Sequence, residues 1–321
     1  MVNKMKDSLF AFPKQFGYEP EVHSQGPVAK FDKFGLFGMG GSGLLADTLL
    51  YFKPSLDIVS HKSYGLPNSD LSGRLLIFVS YSGHTEETID SFKAALSNGH
   101  HLAVIATGGE LLKLAKKLGI LYVQLPQVGL QPRVALGHQL RAVLKLMGEE
   151  SLYKEVGVIG KALKIAGIAK EGSALAKKIG EKLPVIYASL ENQLIAYNWK
   201  IRFNETAKIP AFFNVVPEMN HNELNGFDVK KGTKDLSSKM HFFFIEDAND
   251  HPKIRKRMTV MQKLYEDNGL SLTKVKLIGK NRIEKFLNGI TLADWAAYHT
   301  AEVFGSDPDN VPIIEKFKKL I

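Results

Sequence analysis

The chain contains no cysteine among its 321 residues. This absence excludes a disulfide scaffold, a thiolate nucleophile, iron–sulfur ligation and cysteine-ligated zinc. No apolar run reaches the roughly 18 residues that a membrane span needs, and the N-terminal stretch lacks the apolar core of a signal peptide. The ten histidines form no H-x-H or H-x-x-x-H pair. We therefore expect a soluble, cytoplasmic protein without a membrane segment or a metal site.

Positive charge exceeds negative charge by nine, and most of the excess falls after residue 150, in helix-like segments such as Lys253–Arg257 and Lys316–Lys319. Nucleic-acid binders also have basic faces, but no glycine/aromatic RNA motif or zinc-finger spacing accompanies this charge. We interpret it as a solvated basic surface that attracts small anionic substrates, not as a nucleic-acid interface.

Short apolar runs alternate with amphipathic stretches along the first half. The pattern predicts strands at Phe34–Gly38, Leu56–Ser60, Leu75–Ser80, Leu102–Thr107 and Leu121–Leu125. It predicts helices at Gly43–Phe52, Thr85–Ser97, Glu110–Leu118 and Arg133–Glu150. Such alternation is typical of a parallel sheet with helices on both faces.

The second half repeats this alternation after a helical connection over Leu152–Leu183. Strands are predicted at Val185–Ser189, Phe212–Val216, His241–Ile245 and Leu272–Ile278. Helices are predicted at Glu191–Ala207, Ile254–Asn268, Leu292–Phe304 and Ile313–Leu320. The fold class is therefore α/β with two tandem domains, residues 1–152 and 153–321, each a parallel sheet flanked by helices on both faces.

A glycine-rich loop, Gly38-Met-Gly-Gly-Ser-Gly43, follows the first predicted strand and opens a helix. Glycines let backbone amides such as that of Gly41 approach an anion closely. The spacing also matches the dinucleotide fingerprint G-x-G-x-x-G, which needs an acid at the end of the next strand. Asp57 lies at the start of that strand instead, which counts against NAD.

A second loop, Ser80-Tyr-Ser-Gly-His-Thr85, follows the strand residues Leu75–Val79 and opens another helix. Its hydroxyls at Ser80, Ser82 and Thr85, with Ser42 from the first loop, suit the three oxygens of a phosphate monoester. These side chains could instead cap helices, above all Thr85. The two loops together favour phosphate binding. No P-loop motif occurs, so hydrolysis of nucleoside triphosphates is not expected.

Five segments in order resemble one family: GMGGSG, SYSGHTEET, Arg133 in PRVALG, FNETAKIPAFFNVVPEMNHNEL and the C-terminal DW…GSDP…VPIIEKFKKL. They are similar to the archaeal-type bifunctional phosphoglucose/phosphomannose isomerases, which have tandem sugar isomerase (SIS) domains. The resemblance covers essentially the whole chain. It implies interconversion of glucose 6-phosphate, mannose 6-phosphate and fructose 6-phosphate by a homodimer without metal or organic cofactor.

The resemblance also implies roles for four residues. It makes Glu205 the base that moves a proton between C1 and C2, and it makes Arg133 the cation that faces the enediolate. It assigns ring opening to His221 and implies that this histidine comes from the partner subunit. Where some members have an active-site lysine, this chain has His299, which either replaces that lysine or is an ordinary helix-face residue. His84 replaces the more common asparagine of the second loop.

The residues themselves leave alternatives open. Glu205 ends an apolar helix and could be a partly desolvated base or a surface acid beside Lys208, and Arg133 could be a surface arginine. His221 lies in a polar loop where solvated histidines are common, and with Glu223 it mimics a fragment of a metal site. Two rival functions also remain, which are another SIS enzyme acting on a phosphosugar such as an amino sugar phosphate, and a non-enzymatic phosphosugar sensor.

Overall fold

The computed structural model describes residues 4–27, 29–318 and 320. The contacts of the chain group it into two compact units. We call Phe10–Leu163 the first unit, and we call Lys164–Ile321 together with the residues before Phe10 the second unit. A helix, α1, lies at Lys4–Ala11. None of the helices in the described ranges is both long enough and apolar enough to cross a membrane.

The first unit contains a six-stranded sheet. Its strands are β1 (Val22–His23), β2 (Lys33–Phe37), β3 (Asp57–His61), β4 (Leu75–Val79), β5 (His101–Ala106) and β6 (Leu121–Gln124). Their order across the sheet is β1-β6-β5-β4-β2-β3. The five longer strands are parallel, which confirms the prediction, whereas the two-residue β1 pairs antiparallel with β6 at the edge.

Helices cover both faces of this sheet. Every residue of β4 is buried, although successive side chains of a strand point to opposite faces. The helices are α2 (Gly40–Gly43), α3 (Leu45–Phe52), α4 (Glu86–Ser97), α5 (Gly109–Leu118), α6 (Leu136–Met147) and α7 (Glu150–Lys161). Short 3-10 helices span Phe12–Gly17 and Pro132–Val134. The core between α4, α5 and the sheet includes Phe78, Phe92 and Leu111, all fully buried.

Two helix predictions in this unit are wrong in their bounds. The helix predicted at Gly43–Phe52 is divided into α2 and α3 at Leu44. The single helix predicted over Arg133–Glu150 begins instead as a 3-10 turn, and α6 ends at Met147, before Gly148, which is left-handed with φ of 69°. A left-handed glycine is a common helix terminator, since it has no Cβ to clash.

The second unit contains a four-stranded sheet in which all neighbours are parallel. The strands are β7 (Leu183–Ser189), β8 (Phe212–Val216), β9 (Met240–Glu246) and β10 (Ser271–Lys276), in the order β10-β9-β7-β8. One face packs on an aromatic core in which Tyr187, Phe242 and Tyr265 are fully buried.

The helices of the second unit are α8 (Ile165–Ile179), α9 (Gln193–Arg202), α10 (Lys234–Ser237), α11 (Pro252–Asp267), α12 (Arg282–Val303) and α13 (Pro312–Lys318). A π-helical turn, Phe203–Ala207, continues α9. Further 3-10 helices span Leu190–Asn192, Glu218–His221 and Glu223–Phe227. The helix predicted from Leu292 in fact begins at Arg282, after the Asn281 side chain caps it by accepting from the Glu284 amide. Of the helix predicted at Ile313–Leu320, Lys319 lies outside the described residues.

Candidate active site

The sheet of the first unit has a topological switch point between β2 and β4. The chain runs from β2 to β3 on one side and from β4 to β5 on the other, so the loops after β2 and β4 diverge at the carboxyl edge. Open parallel sheets bind their ligands in such a crevice. The two strands pair directly, with Phe37 opposite Phe78. The two predicted phosphate loops are those that follow these strands, so they lie side by side.

The first loop is compact enough to require glycine at its end. A methyl group on Gly43 would lie 2.5 Å from the Gly38 carbonyl oxygen, closer than any real contact. The Ser42 hydroxyl within this loop is 7% exposed and donates to Oε1 of Gln139 over 2.7 Å. The loop thus approaches α6 through a specific side-chain hydrogen bond.

The second loop is organised around the buried Ser80. Its Oγ accepts from the amides of Gly83, at 3.0 Å, and of Thr85, at 3.4 Å, and lies 2.8 Å from the Thr85 hydroxyl. Ser82 is exposed, Thr85 is half-buried, and both precede α4. Ser80 therefore shapes the turn, while Ser82 and Thr85 are the more accessible hydroxyls for a ligand.

Arg133 lies against the first loop. A methyl group placed on Gly41 would be 3.5 Å from the Arg133 Cα, so the Arg133 backbone lies directly beside this glycine. Arg133 is 4% exposed and lies in the 3-10 turn Pro132–Val134. The structure thus brings Gly41, Ser42 and Arg133 together. This placement is unlike that of an ordinary surface arginine.

Two buried glutamines hold this arrangement, and neither was predicted from the sequence. Gln15 donates from Nε2 to the Val134 carbonyl over 2.7 Å and accepts from the Gly137 amide over 3.0 Å, which fixes the turn that contains Arg133. Gln139 holds Ser42. A single glutamine among apolar residues matches no motif with a defined spacing. The one feature of the sequence that could have indicated these residues is a polar side chain in an apolar segment, because a buried polar group needs a hydrogen-bond partner.

In the second unit, Glu205 lies in the π-helical turn after α9 and is half-buried. Such turns are rare and are frequent at functional sites. The turn ends at Lys208, which has φ of 62°, a strained conformation for a lysine. Hydrogen bonding from the Asp309 amide lowers the pKa of Asp307, and the charge of Lys208 contributes to the same shift. The GSDP segment therefore lies close to the turn that presents Glu205.

His221 ends the 3-10 helix Glu218–His221, after β8, and is exposed. The segment that follows is anchored by Glu223, whose Oε1 accepts from the Tyr187 hydroxyl over 2.6 Å and whose Oε2 accepts from Asn214 over 2.5 Å. Tyr187 is fully buried in the aromatic core. An exposed imidazole is thus held on a loop that is fixed to the sheet.

His299 lies on α12, stacked on Trp295 with ring centroids 5.7 Å apart. Its Nδ1 lies 2.7 Å from Oε2 of Glu302, one turn further along the same helix. The side chain is 21% exposed. Glu205, His221 and His299 therefore lie on three separate elements of the second unit.

The second unit has its own switch point, between β7 and β9, and its chemistry differs. Ser189 ends β7 and Asn192 follows it, while Asp247 and Asp250 follow β9. Ser189 and Asn192 both donate to Asp250, and Lys285 from α12 pairs with Asp247. Carboxylates repel a phosphate, whereas the first unit has hydroxyls and amides at the corresponding switch point of its own sheet. Among the described residues, no group of three or more His, Cys, Asp or Glu is arranged to hold a metal.

The fold and the hydroxyl-lined switch point define an SIS-domain protein. The family described as the bacterial phospho-glucose isomerase C-terminal SIS domain matches residues 168–321. The C-terminal domain of glucosamine-fructose-6-phosphate aminotransferase from Francisella tularensis superposes with a TM-score of 0.69 over 97% of this chain and 99% of that one, at 13% identity. At that identity the likeness concerns the fold alone.

Sequence relatives identify the family. A bifunctional phosphoglucose/phosphomannose isomerase from Aquifex aeolicus is 32% identical over 88% of both chains. A D-glucosamine-6-phosphate 4-epimerase from Sulfolobus acidocaldarius is 31% identical over 69% of this chain and 72% of its own. The chain belongs to the bifunctional phosphoglucose/phosphomannose isomerase family, which makes it an isomerase and confirms the resemblance.

Proposed function

We propose that this protein interconverts glucose 6-phosphate, mannose 6-phosphate and fructose 6-phosphate. The observation that carries the proposal is the match to the bifunctional phosphoglucose/phosphomannose isomerase of Aquifex aeolicus, which covers 88% of both chains. Glucose and mannose phosphates differ only at C2, and both give the same enediolate when that carbon loses its proton. One acid–base group and one phosphate site can serve all three sugars, provided that rotation about the C2–C3 bond presents either face of the planar C2 to that group.

In the proposed reaction, Gly41, Ser42, Ser80, Ser82 and Thr85 bind the phosphate, and Arg133 stabilises the enediolate. A permanently charged guanidinium suits that role, and its turn is already fixed against Gly41. Glu205 takes the proton from C2 of the open-chain aldose and returns it to C1, while the hydroxyl proton moves from O2 to O1, which gives the ketose. His221 assists ring opening, and His299 either contacts the substrate or only packs on its helix.

The direct test is purified protein with fructose 6-phosphate, with and without chelator. We expect both glucose 6-phosphate and mannose 6-phosphate to appear, at a rate that the chelator does not change, because the proposed steps use only side chains. Formation of glucose 6-phosphate alone would restrict the activity to one epimer. Absence of both aldoses would refute the proposal.

We further propose a homodimer in which each subunit donates His221 to its partner. The exposure of His221 on a firmly anchored loop supports this proposal. Glu205→Gln and His221→Ala should each be inactive alone, but their mixture, after unfolding and refolding together, should regain activity. In a mixed dimer one site would hold both wild-type residues. A mixture as inactive as its components would contradict donation across subunits.

The epimerase relative favours one alternative, an SIS enzyme acting on an amino sugar phosphate. Incubation with glucosamine 6-phosphate distinguishes the two functions. We expect no product from it at enzyme concentrations that equilibrate fructose 6-phosphate. Conversion of glucosamine 6-phosphate with no conversion of fructose 6-phosphate would support the alternative.

A further inference from the structure

The Ser42 hydroxyl is engaged in a hydrogen bond within the protein. It donates to Oε1 of Gln139 over 2.7 Å, and both side chains are buried, Gln139 completely. The orientation of the Gln139 amide is fixed by its other end, because Nε2 donates to the Ala135 carbonyl over 3.4 Å. A reversed amide would place two acceptor oxygens against each other.

This hydrogen bond has a consequence for anion binding. A serine hydroxyl has one proton, and a phosphate dianion offers only acceptors. While the proton points to Gln139, Ser42 presents lone pairs elsewhere and cannot donate to a phosphate. If the hydroxyl rotates to the phosphate, Oε1 of Gln139 is left buried without a donor, which is unfavourable.

We propose that Gln139 is a positioning residue that competes with the substrate phosphate for the Ser42 proton and so keeps phosphate affinity below what the hydroxyl could provide. The proposal rests on the assignment of Ser42 to phosphate binding. It predicts effects of opposite sign for two substitutions at one buried position. A purely structural glutamine would weaken binding when replaced by either residue.

Gln139→Met removes the acceptor while keeping the shape of the side chain. The substitution leaves no new unsatisfied group on the backbone. The Ala135 carbonyl loses the side-chain donor Nε2, but it still accepts from the backbone N–H of residue 139 at 3.3 Å. The freed hydroxyl can then donate to the anion. Gln139→Glu holds the proton more firmly and adds negative charge. We expect the Kd of inorganic phosphate to fall about tenfold in the first variant and to rise at least tenfold in the second.

The experiment is calorimetric titration of the full chain with inorganic phosphate, completed as a double-mutant cycle with Ser42→Ala. In the Ser42→Ala background, Gln139→Met should change the Kd by less than twofold, since no proton remains to release. Gln262→Met is the matched control, because Gln262 is also buried and bonds Glu246 on the second unit. This control should leave phosphate affinity unchanged.

Weaker or unchanged phosphate binding in Gln139→Met would overturn the inference, as would an equal effect with and without Ser42. Phosphate affinity that does not respond to Ser42→Ala would overturn both this inference and the placing of phosphate at Ser42. The titration does not depend on turnover. Failure to convert fructose 6-phosphate would therefore refute the proposed activity while leaving the role of Gln139 measurable.

Discussion

Glu205→Gln is expected to lower kcat by about 10²- to 10⁴-fold while changing the affinity for fructose 6-phosphate by less than about twofold. The amide has nearly the same shape as the carboxylate, but it cannot accept the C2 proton. Glu205 is half-buried in its π-helical turn, so the substitution needs no rearrangement of the core. The proposed phosphate ligands lie on other elements and are untouched.

Steady-state kinetics and calorimetric titration of the same preparation separate these two effects. Glu266→Gln is the control, because Glu266 is an exposed acid of α11 paired only loosely with Lys274, at 3.6 Å. It should retain wild-type turnover. A Glu205→Gln protein that still isomerises at more than a tenth of the normal rate would show that another group is the base.

Gly83→Ala is expected to abolish phosphate binding, with a loss of at least 100-fold in affinity. Gly83 has φ of 73°, and a methyl group there would lie 1.9 Å from the Gly108 carbonyl oxygen. The opposing residue, Gly109, is equally constrained, with φ of 73° and its own Cβ position 2.5 Å from the Ser82 carbonyl oxygen. The backbone at Gly83 thus packs directly against the backbone at Gly108 and Gly109. A shift of this backbone to make room for the methyl group would also move Ser82.

Gly99→Ala separates backbone strain from the clash. Gly99 has φ of 71° but no atom within 4 Å of its Cβ position. It should lose about 1–2 kcal/mol of unfolding free energy, the cost of a left-handed alanine, and keep full phosphate affinity. Gly83→Ala should lose about 1–3 kcal/mol more from overpacking. Urea unfolding and phosphate titration of both variants measure this difference, and equal behaviour would show that the contact with Gly108 is unimportant.

Most of the parallel strands were predictable because they contain short apolar runs, as in the five buried residues of β4. The antiparallel β1 was not, since two residues, Val22 and His23, contain too little pattern to signal a strand. The start of α12 was missed because buried polar residues such as Lys285 and Thr291 interrupt the apolar pattern before Leu292, and Asp294 is a further buried polar residue of this helix. Tertiary pairing satisfies those polar groups, as with Asp294 and Arg202 at 2.9 Å.

The residues of the candidate site also fall into two groups, those that could be predicted from the sequence and those that could not. Hydroxyls after strands and glycines before helices are local signals, so the two loops could be found from sequence. Gln139 and Gln15 act through contacts with residues far away in the chain, at Ser42 and Val134, and no spacing rule connects them. The acids Asp247 and Asp250 at the other switch point were missed for a similar reason, since Asp247 pairs with Lys285 of a distant helix and Asp250 accepts from the distant Ser189.

The turn that presents Glu205 holds one residue more than a regular helical turn would. Removing a single residue between Phe203 and Ala207 would let the preceding helix continue with ordinary geometry. Each helical residue turns about the axis by roughly 100°, so such a deletion would rotate everything that follows relative to what precedes it. The orientation of this carboxylate thus depends on an insertion in the helical repeat, which substitutions that preserve chain length leave intact.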